Sequence, residues 1–285
     1  DLGACSSAPQ RPMRITDVYD RAADYYESAN TELGAGLLAE ARAHLVQAHT
    51  AALSIDALDL LCRIKLSGIS YKVSAGEAAV GTEGTSADSS TGGGTFLDER
   101  AEKILADAQG CARRTARSTL LLAVCDIYAV RLALTGGGTD YAAYLSTLAA
   151  AEKKLSGEPY YRGHLYRTCG DIFIAQHDYA AAESAFKSAA DVHTKNSYLV
   201  EIGTDWYGVA RCRSNAGKKA DAITAIETAL KYDKDAENTA AIGTDYYAYA
   251  KIVLKGNPTA EERALAKSLA LWSARSEEHT SELQS

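Results

Sequence analysis

Large apolar and small side chains recur along this chain at the spacing of helices that bury one face. Tyr166 is followed four positions later by Gly170, which places an aromatic and a small residue on the same helical face. A second motif spaces a small, a large apolar and another small residue at intervals of four and three: Ala182, Phe186 and Ala189. Together the two motifs predict a pair of helices joined by a short turn.

The same pattern returns at a nearly constant interval. Gly163, Gly203 and Gly243 lie 40 residues apart, and an aromatic residue follows each of them at the same offset. The second motif begins again at four further positions: Ala41, Ala101, Tyr144 and Ala222. Ala41 and Ala101 are farther apart than the period, but a Gly/Ser/Thr-rich stretch at 75–95 lies between them. Without that stretch, the distance between these two positions also matches the period. Such a repeat predicts a solenoid of stacked helix pairs, because no single pair can bury its own apolar face.

Composition favours helices over strands or disorder. Of the 285 residues, 47% are hydrophobic and 24% are charged, and the chain has only 4 Pro and 1 Met. Alanine dominates the interior stretches and favours close helix packing, whereas the β-branched runs that favour strands are scarce. No run approaches the ~20 apolar residues of a membrane-spanning helix, so we expect that the body does not cross a bilayer.

One repeat unit resembles the tetratricopeptide repeat (TPR). The residues that carry the resemblance are Tyr166, Cys169, Gly170 and Phe173 in the first helix and Tyr179, Ala182, Phe186 and Ala189 in the second. The chain departs from the family in its period of 40 rather than about 34 residues, and in Thr194 and Lys234, which stand where a closing proline is common. The resemblance implies an all-α, right-handed superhelical solenoid of about six antiparallel helix pairs.

The resemblance also implies that the first helices line a concave groove. Nine residues would face it: His164, Arg167, Asp171, Tyr207, Arg211, Asn215, Tyr247, Lys251 and Lys255. The cationic and tyrosine side chains among them would form a basic, aromatic strip on an acidic protein. By resemblance, such a strip suits an extended peptide or a carboxylate-bearing partner, since Arg donates forked hydrogen bonds and Tyr offers flat contact area. The competing interpretation is a solvated charged face.

Both ends of the chain are set apart from the repeats. The opening "LGAC" resembles the processing site of a bacterial lipoprotein, so we expect residues 1–15 to be a tether that is lipidated at Cys5. The last segment, "RSEEHTSELQS" at 275–285, looks like a translated sequencing adapter, and we expect the natural chain to continue differently. The solenoid would then span 16–274, with a flexible insertion at 75–95.

Sequence motifs for catalysis and for cofactor binding are absent. The chain has no H-E-x-x-H, paired C-x-x-C or G-x-S-x-G, and "TGGGT" at 135–139 lacks the Lys-Ser/Thr of a phosphate loop, which favours a turn between helices. His164, His177 and His193 are scattered over one repeat and are expected to be surface or capping residues rather than metal ligands. The cysteines after Cys5 mostly occupy small apolar positions, which predicts buried thiols. We expect no metal, no cofactor and no enzyme activity.

The function predicted from the sequence is a non-enzymatic protein-interaction scaffold, lipid-anchored in the bacterial envelope and facing the periplasm or the surface. Without lipidation of Cys5, the chain would be cytoplasmic. The net charge of −7 and the lack of a continuous basic patch argue against a nucleic-acid partner. One alternative is a solute-binding accessory lipoprotein of a transport system, and another is an enzyme subunit whose catalytic domain lies outside this chain. An enclosed, apolar, tyrosine-lined pocket would favour the carrier, and an open polar groove would favour the scaffold.

Overall fold

The computed structural model of the protein describes residues 14–77 and 95–283, with side chains described as far as Ser276. Cys5 and most of the predicted insertion at 75–95 therefore lie outside the described residues.

The described residues form twelve α-helices arranged as six consecutive pairs. The helices are α1 (Ile15–Ala35), α2 (Leu38–Ser54), α3 (Leu58–Ser74), α4 (Ala101–Arg113), α5 (Ser118–Thr135), α6 (Tyr141–Glu152), α7 (Pro159–Ala175), α8 (Tyr179–Lys195), α9 (Leu199–Asn215), α10 (Lys219–Asp235), α11 (Thr239–Val253) and α12 (Ala260–Leu283). The first helix of each pair is called the A helix below, and the second the B helix. The predicted all-α fold of six helix pairs is confirmed. The backbone of α12 continues through most of the segment assigned to an adapter, and that assignment stays a prediction.

Short turns join the helices where the sequence predicts them. The "TGGGT" stretch falls between α5 and α6, and the carboxylate of Asp140 caps α6 by accepting a hydrogen bond from the backbone NH of Ala143 at 3.2 Å. Asp178 caps α8 in the same way through the backbone NH of Ala181 at 3.0 Å. These caps satisfy helix-start NH groups that have no partner within the helix, and so they fix where each B helix begins.

Phe186 of α8 shows how the repeat motif packs. Its side chain is only 2% exposed and lies between the A helices α7 and α9. A Cβ atom at Gly170 would come within 2.7 Å of the Phe186 ring, and one at Gly208 within 2.4 Å. The aromatic ring of the B helix thus fills the space that glycines leave on two successive A helices, which couples one repeat to the next.

The A helices form the inner layer and the superhelix closes on itself. Each A helix contacts the next one directly, whereas consecutive B helices approach each other much less within the described residues. At the end of α1, a Cβ atom at Gly34 would lie 3.3 Å from Val200 of α9, and one at Gly36 would lie 2.5 Å from Ala240 of α11. The first helix therefore reaches across to the fifth and sixth pairs.

Tyrosines from several A helices fill the inner layer. Tyr161 of α7 is buried, shares a hydrogen bond with Tyr26 of α1, and lies 3.4 Å from a guanidinium nitrogen of Arg63 on α3. Tyr128 of α5 is buried beside them. Burial raises the pKa of both Tyr161 and Tyr128, so both remain protonated. This use of tyrosine, whose hydroxyl bonds to neighbours at the inner face, explains the 17 Tyr against 3 Phe.

Helix α5 changes one prediction about the membrane. Its 18 residues have a mean hydropathy of 1.6, so by length and composition this helix could cross a bilayer, contrary to the expectation that no segment comes close. Its apolar character has a structural reason, because Leu121, Val124 and Ile127 are fully buried between neighbouring A and B helices. We therefore assign α5 to the core of the solenoid.

The prediction of buried thiols is confirmed for three cysteines. Cys62, Cys125 and Cys212 are fully buried, and Cys111 and Cys169 are partly buried. The sulfur atoms of Cys62 on α3 and Cys125 on α5 lie 3.9 Å apart as free thiols.

Candidate functional site

Only part of the predicted groove strip is open to solvent. On α11, the Tyr247 side chain is 56% exposed, and the ammonium group of Lys251 lies 5.2 Å from the centre of its ring. Tyr207 on α9 is half-buried and packs against the core of the last repeats. Tyr247 and Lys251, with part of Tyr207, therefore form the part of the strip that is accessible to solvent.

Three of the predicted polar groove residues link adjacent repeats. Arg211 and Asp171 form an ion pair at 3.4 Å between α9 and α7, with side chains 43% and 45% exposed. The ammonium group of Lys255 donates a hydrogen bond to the backbone carbonyl of Ser214 at 2.6 Å. Asn215 is exposed at the end of α9. These contacts are compatible with a surface role, and no contact among the described residues assigns a partner to Asn215.

Arg167 occupies a different environment from the one predicted. Its guanidinium group is largely buried, and it donates to Asp205 at 2.7 Å and to the Glu201 carboxylate at 2.6 Å. It also donates to the backbone carbonyl of Glu201 at 3.0 Å. Because two carboxylates already neutralise Arg167, it is an internal link between α7 and α9, and the strip is narrower than the sequence suggested.

Two histidines converge beside Arg167, which corrects the expectation of scattered surface or capping residues. His193 of α8 is fully buried, and its Nδ1 atom lies 2.6 Å from a carboxylate oxygen of Asp205, which is also fully buried. His164 of α7 is largely buried, with Nε2 3.4 Å from Glu201. Of the three histidines of this repeat, only His177 is exposed. We call His164, Arg167, His193, Glu201 and Asp205 the buried cluster.

The electrostatics of the buried cluster favour an ionised Glu201. Burial lowers the pKa of His164, so its imidazole is neutral near pH 7. Burial opposes the charge on Glu201, but the pKa of its carboxyl is held well below the usual range by His164 in its protonated form and by Arg167. Of these two neighbours, Arg167 keeps its charge at every relevant pH.

The glycine repeat explains how His193 reaches this position. A Cβ atom at Gly163 would lie 2.0 Å from Nε2 of His193. Thirty residues separate these two positions, and the same offset links Gly203 to Asp233, whose carboxylate lies within 2.5 Å of the Cβ position. The repeated glycine therefore leaves room for a polar side chain from the following B helix.

One repeat later, two carboxyl groups replace the histidine and its aspartate. Asp233 and Asp245 are 1% and 2% exposed and hydrogen-bond to each other, and Asn238 donates to Asp233 at 3.3 Å. Burial and, after it, the neighbouring Asp233 together raise the pKa of Asp245 to about 9. The pair therefore shares one proton near neutral pH, with Asp245 as the protonated partner.

Sequence reasoning missed Glu201, His193, Asp205 and the carboxyl pair. A signal was present, because a polar residue follows each repeated glycine by 30 positions: His193, Asp233 and Ser273. The hydroxyl of Ser273 indeed donates to the backbone carbonyl of Gly243 at 2.8 Å.

The surface offers little support for a small-molecule carrier. Two depressions among the described residues are open and lined mainly by charged or polar side chains: Glu227, Leu230, Lys231, Lys234 and Asp235 in one, and Asp24, Glu27, Ser28, Thr31 and Glu32 in the other. In the described part of the chain, tyrosines fill the inner layer instead of lining an enclosed pocket.

Comparison with solved structures supports the fold. A Rap protein complexed with Competence and Sporulation Factor matches with a TM-score of 0.59 at 11% identity, over 92% of this chain and 67% of that one. The apo form of RapI matches with 0.56 at 10% identity, over 91% and 66%. BtubC (BKLC) from P. vanneervenii matches with 0.54 at 10% identity, over 94% and 93%.

These likenesses confirm the TPR-like helical solenoid and, at such low identity, show the fold alone. The chain spans about two thirds of the length of the two Rap proteins. A scan against models of protein families and a search of curated proteins both find no match.

Proposed function

We propose that this solenoid is a non-enzymatic interaction module that binds an extended, carboxylate-bearing peptide segment of a partner protein. The binding surface is the exposed part of the strip, formed by Tyr207, Arg211, Tyr247 and Lys251, which we call the C-terminal patch. The observation that carries the proposal is the 56% exposure of Tyr247 beneath the ammonium group of Lys251.

Lys251 and Tyr247 are suited to such a ligand. Among the described residues, no carboxylate lies within ion-pair distance of Lys251, so its charge is available to an acidic group from outside. Tyrosine provides a large contact area at a small conformational entropy cost, and such residues often dominate the binding free energy of protein interfaces. Arg211 adds a second cation, held only by an exposed pair with Asp171 that a stronger carboxylate ligand can replace.

The fold supports an interaction role. One solved structure of this fold is of a Rap protein complexed with Competence and Sporulation Factor, so a solenoid of this kind can hold a second molecule. The position of the patch on successive A helices gives an elongated surface, which fits an extended segment better than a compact ligand.

Site-specific photo-crosslinking tests the proposal. A photoreactive phenylalanine analogue at Tyr247 is expected to capture a partner peptide in cells, and mass spectrometry of the adduct would show an acidic segment. The matched control is the same analogue at Tyr232, which lies with Lys231 on the B helix α10 in a similar cation–ring pair at 5.9 Å. A shared set of adducts at both positions would contradict the patch.

Binding of the identified peptide should then depend on charge. Tyr247→Ala/Lys251→Ala should weaken binding in fluorescence anisotropy by at least tenfold, and higher salt should weaken wild-type binding because exposed charges are screened. Tyr232→Ala/Lys231→Ala should bind like the wild type. Unchanged affinity in the patch variant would refute the proposed surface.

We also propose that the chain is lipid-anchored in a bacterial envelope, on the basis of the residues before Cys5. Expression behind a lipoprotein signal peptide with an alkyne fatty acid should label the wild type, and Cys5→Ser should remove the label. Equal labelling of both chains would reject Cys5 as the lipidated residue.

A further inference from the structure

Three side chains from three consecutive helices bring nitrogen and oxygen atoms together at the inner face. His164 lies on α7, His193 on α8 and Glu201 on α9, and their potential ligand atoms all lie within 4.8 Å of one another. None of these residues was assigned a metal role by the sequence. Their convergence depends on the packing of two successive helix pairs.

The first histidine has an unused nitrogen. Nε2 of His164 is buried and forms no hydrogen bond within the described residues. A buried polar atom without a partner destabilises the fold, so such atoms are uncommon unless they serve a ligand. The nearest carboxylate oxygen, of Glu201, lies 3.4 Å away.

The second histidine is oriented by a carboxylate. Nδ1 of His193 lies 2.6 Å from Asp205, and Arg167 in turn holds Asp205 at 2.7 Å. Nε2, on the other side of the ring, has only the backbone carbonyl of Tyr160 at 3.4 Å. Metal-binding histidines commonly have this arrangement, in which a carboxylate fixes one ring nitrogen and the other faces the metal.

The third side chain is an ionised carboxylate with one oxygen largely available. Oε2 of Glu201, the oxygen that lies 3.4 Å from His164, also accepts a hydrogen bond from Arg167 at 2.6 Å, whereas Oε1 accepts a longer one from the Tyr160 hydroxyl at 3.3 Å. A hydrogen-bonded, oriented carboxylate is likewise typical around bound metals.

We propose that His164, His193 and Glu201 bind one divalent transition-metal ion of the zinc type. Two imidazole nitrogens and one carboxylate oxygen are ligands that Zn²⁺ accepts at ~2.0–2.2 Å, and a tetrahedral site needs ligand atoms roughly 3.4 Å apart. The three ligand atoms now lie within 4.8 Å of one another, and small side-chain rotations would bring them to that spacing. Asp205 and Arg167 are positioning residues, and a fourth ligand position remains for water or for a donor from a partner.

The absence of a side chain at Gly163 is part of the site. A Cβ atom there would lie 2.0 Å from Nε2 of His193, so glycine is what gives this nitrogen its place at the inner face. A metal at this point would join α7, α8 and α9, and would therefore stabilise the junction between the fourth and fifth pairs.

Metal titration of chelator-treated protein tests the proposal independently of the interaction function. Co²⁺ should bind once per chain with the visible absorption of a tetrahedral or five-coordinate nitrogen and oxygen site, and Zn²⁺ should displace it. His164→Ala and Glu201→Gln should each weaken Zn²⁺ binding at least tenfold in competition with a chromogenic chelator. His177→Ala, which removes an exposed histidine, is the matched control and should bind as the wild type does.

Asp205→Asn separates a metal site from an internal ion-pair network. It should keep one metal per chain but weaken binding by about 10–100-fold, as expected for a residue that orients a ligand. Circular dichroism checks that each variant is folded, and His164→Gln serves if His164→Ala unfolds. Absence of stoichiometric binding by folded wild-type protein, or unchanged affinity in a folded His164 variant, would overturn the proposal.

Discussion

Asp245→Asn should remove a pH-dependent loss of stability. In the folded protein, burial and the neighbouring Asp233 raise the pKa of Asp245 from 3.8 to about 9. The unfolded chain has an ordinary aspartate. Between these two pKa values, the folded state therefore holds one more proton than the unfolded state, and asparagine supplies a permanently neutral side chain that can still donate a hydrogen bond to Asp233.

The sign follows from proton linkage. A raised folded-state pKa gives stability that is complete below the unfolded pKa and is lost as the pH rises towards the folded pKa. Because the folded state holds one extra proton, the free energy of unfolding falls by about 1.4 kcal/mol for each unit by which the pH rises. From about pH 6.5 to about pH 8.0, the wild type should lose about 2 kcal/mol relative to Asp245→Asn.

Urea unfolding at a series of pH values, followed by circular dichroism, measures this difference. Titration of groups outside the pair is common to both chains and cancels in the comparison, and Asp233, with a pKa of about 6, is mostly ionised above about pH 6.5. Asp235→Asn is the matched control, because it removes an exposed carboxylate from α10, the helix that carries Asp233. Its curve should run parallel to that of the wild type. Parallel curves for the wild type and Asp245→Asn would refute the shared proton.

Two further substitutions, each paired with a control, test the packing of the inner face. Arg167→Met should destabilise the protein by about 3–5 kcal/mol because it leaves buried carboxylates unpaired. Its control, Arg211→Met, should destabilise the protein by less than about 1 kcal/mol because the ion pair of Arg211 is exposed. Equal effects of the two substitutions on the free energy of unfolding in urea would contradict this distinction. Gly163→Ala should destabilise by about 1–3 kcal/mol through collision with His193, whereas Gly110→Ala, which meets nothing within 4 Å, should stabilise by about 0.5–1 kcal/mol. A gain in stability for Gly163→Ala would show that His193 can move away.

The repeat could be predicted from sequence because its signal is local and periodic. Five of the six B helices repeat the spacing of Ala182, Phe186 and Ala189, and the structure buries all three of these residues. Such a pattern reports which face of a helix is covered, whatever covers it. It therefore predicted the number and pairing of the helices.

Ion pairs across the inner face gave no comparable signal. Arg167 was placed on an open groove because its helical position faces inward, and nothing local indicates that Glu201 and Asp205 reach it from the next A helix. The contact from Gly36 at the end of α1 to Ala240 is more remote still, because it depends on the accumulated curvature of five helix pairs. Position on a face is periodic, but exposure of that face is a property of the whole superhelix.

The polar residues behind the repeated glycines show how one geometry can acquire different properties. His193, Asp233 and Ser273 occupy equivalent positions, and each lies against the glycine of its own repeat. The first meets the side chain of an aspartate, the second shares a proton with a carboxyl group, and the third bonds to a backbone carbonyl. The glycine limits the size and shape of the side chain that packs against it, but it does not limit the charge of that side chain. Chemistry at the inner face can therefore vary from one repeat to the next while the packing of the solenoid stays the same.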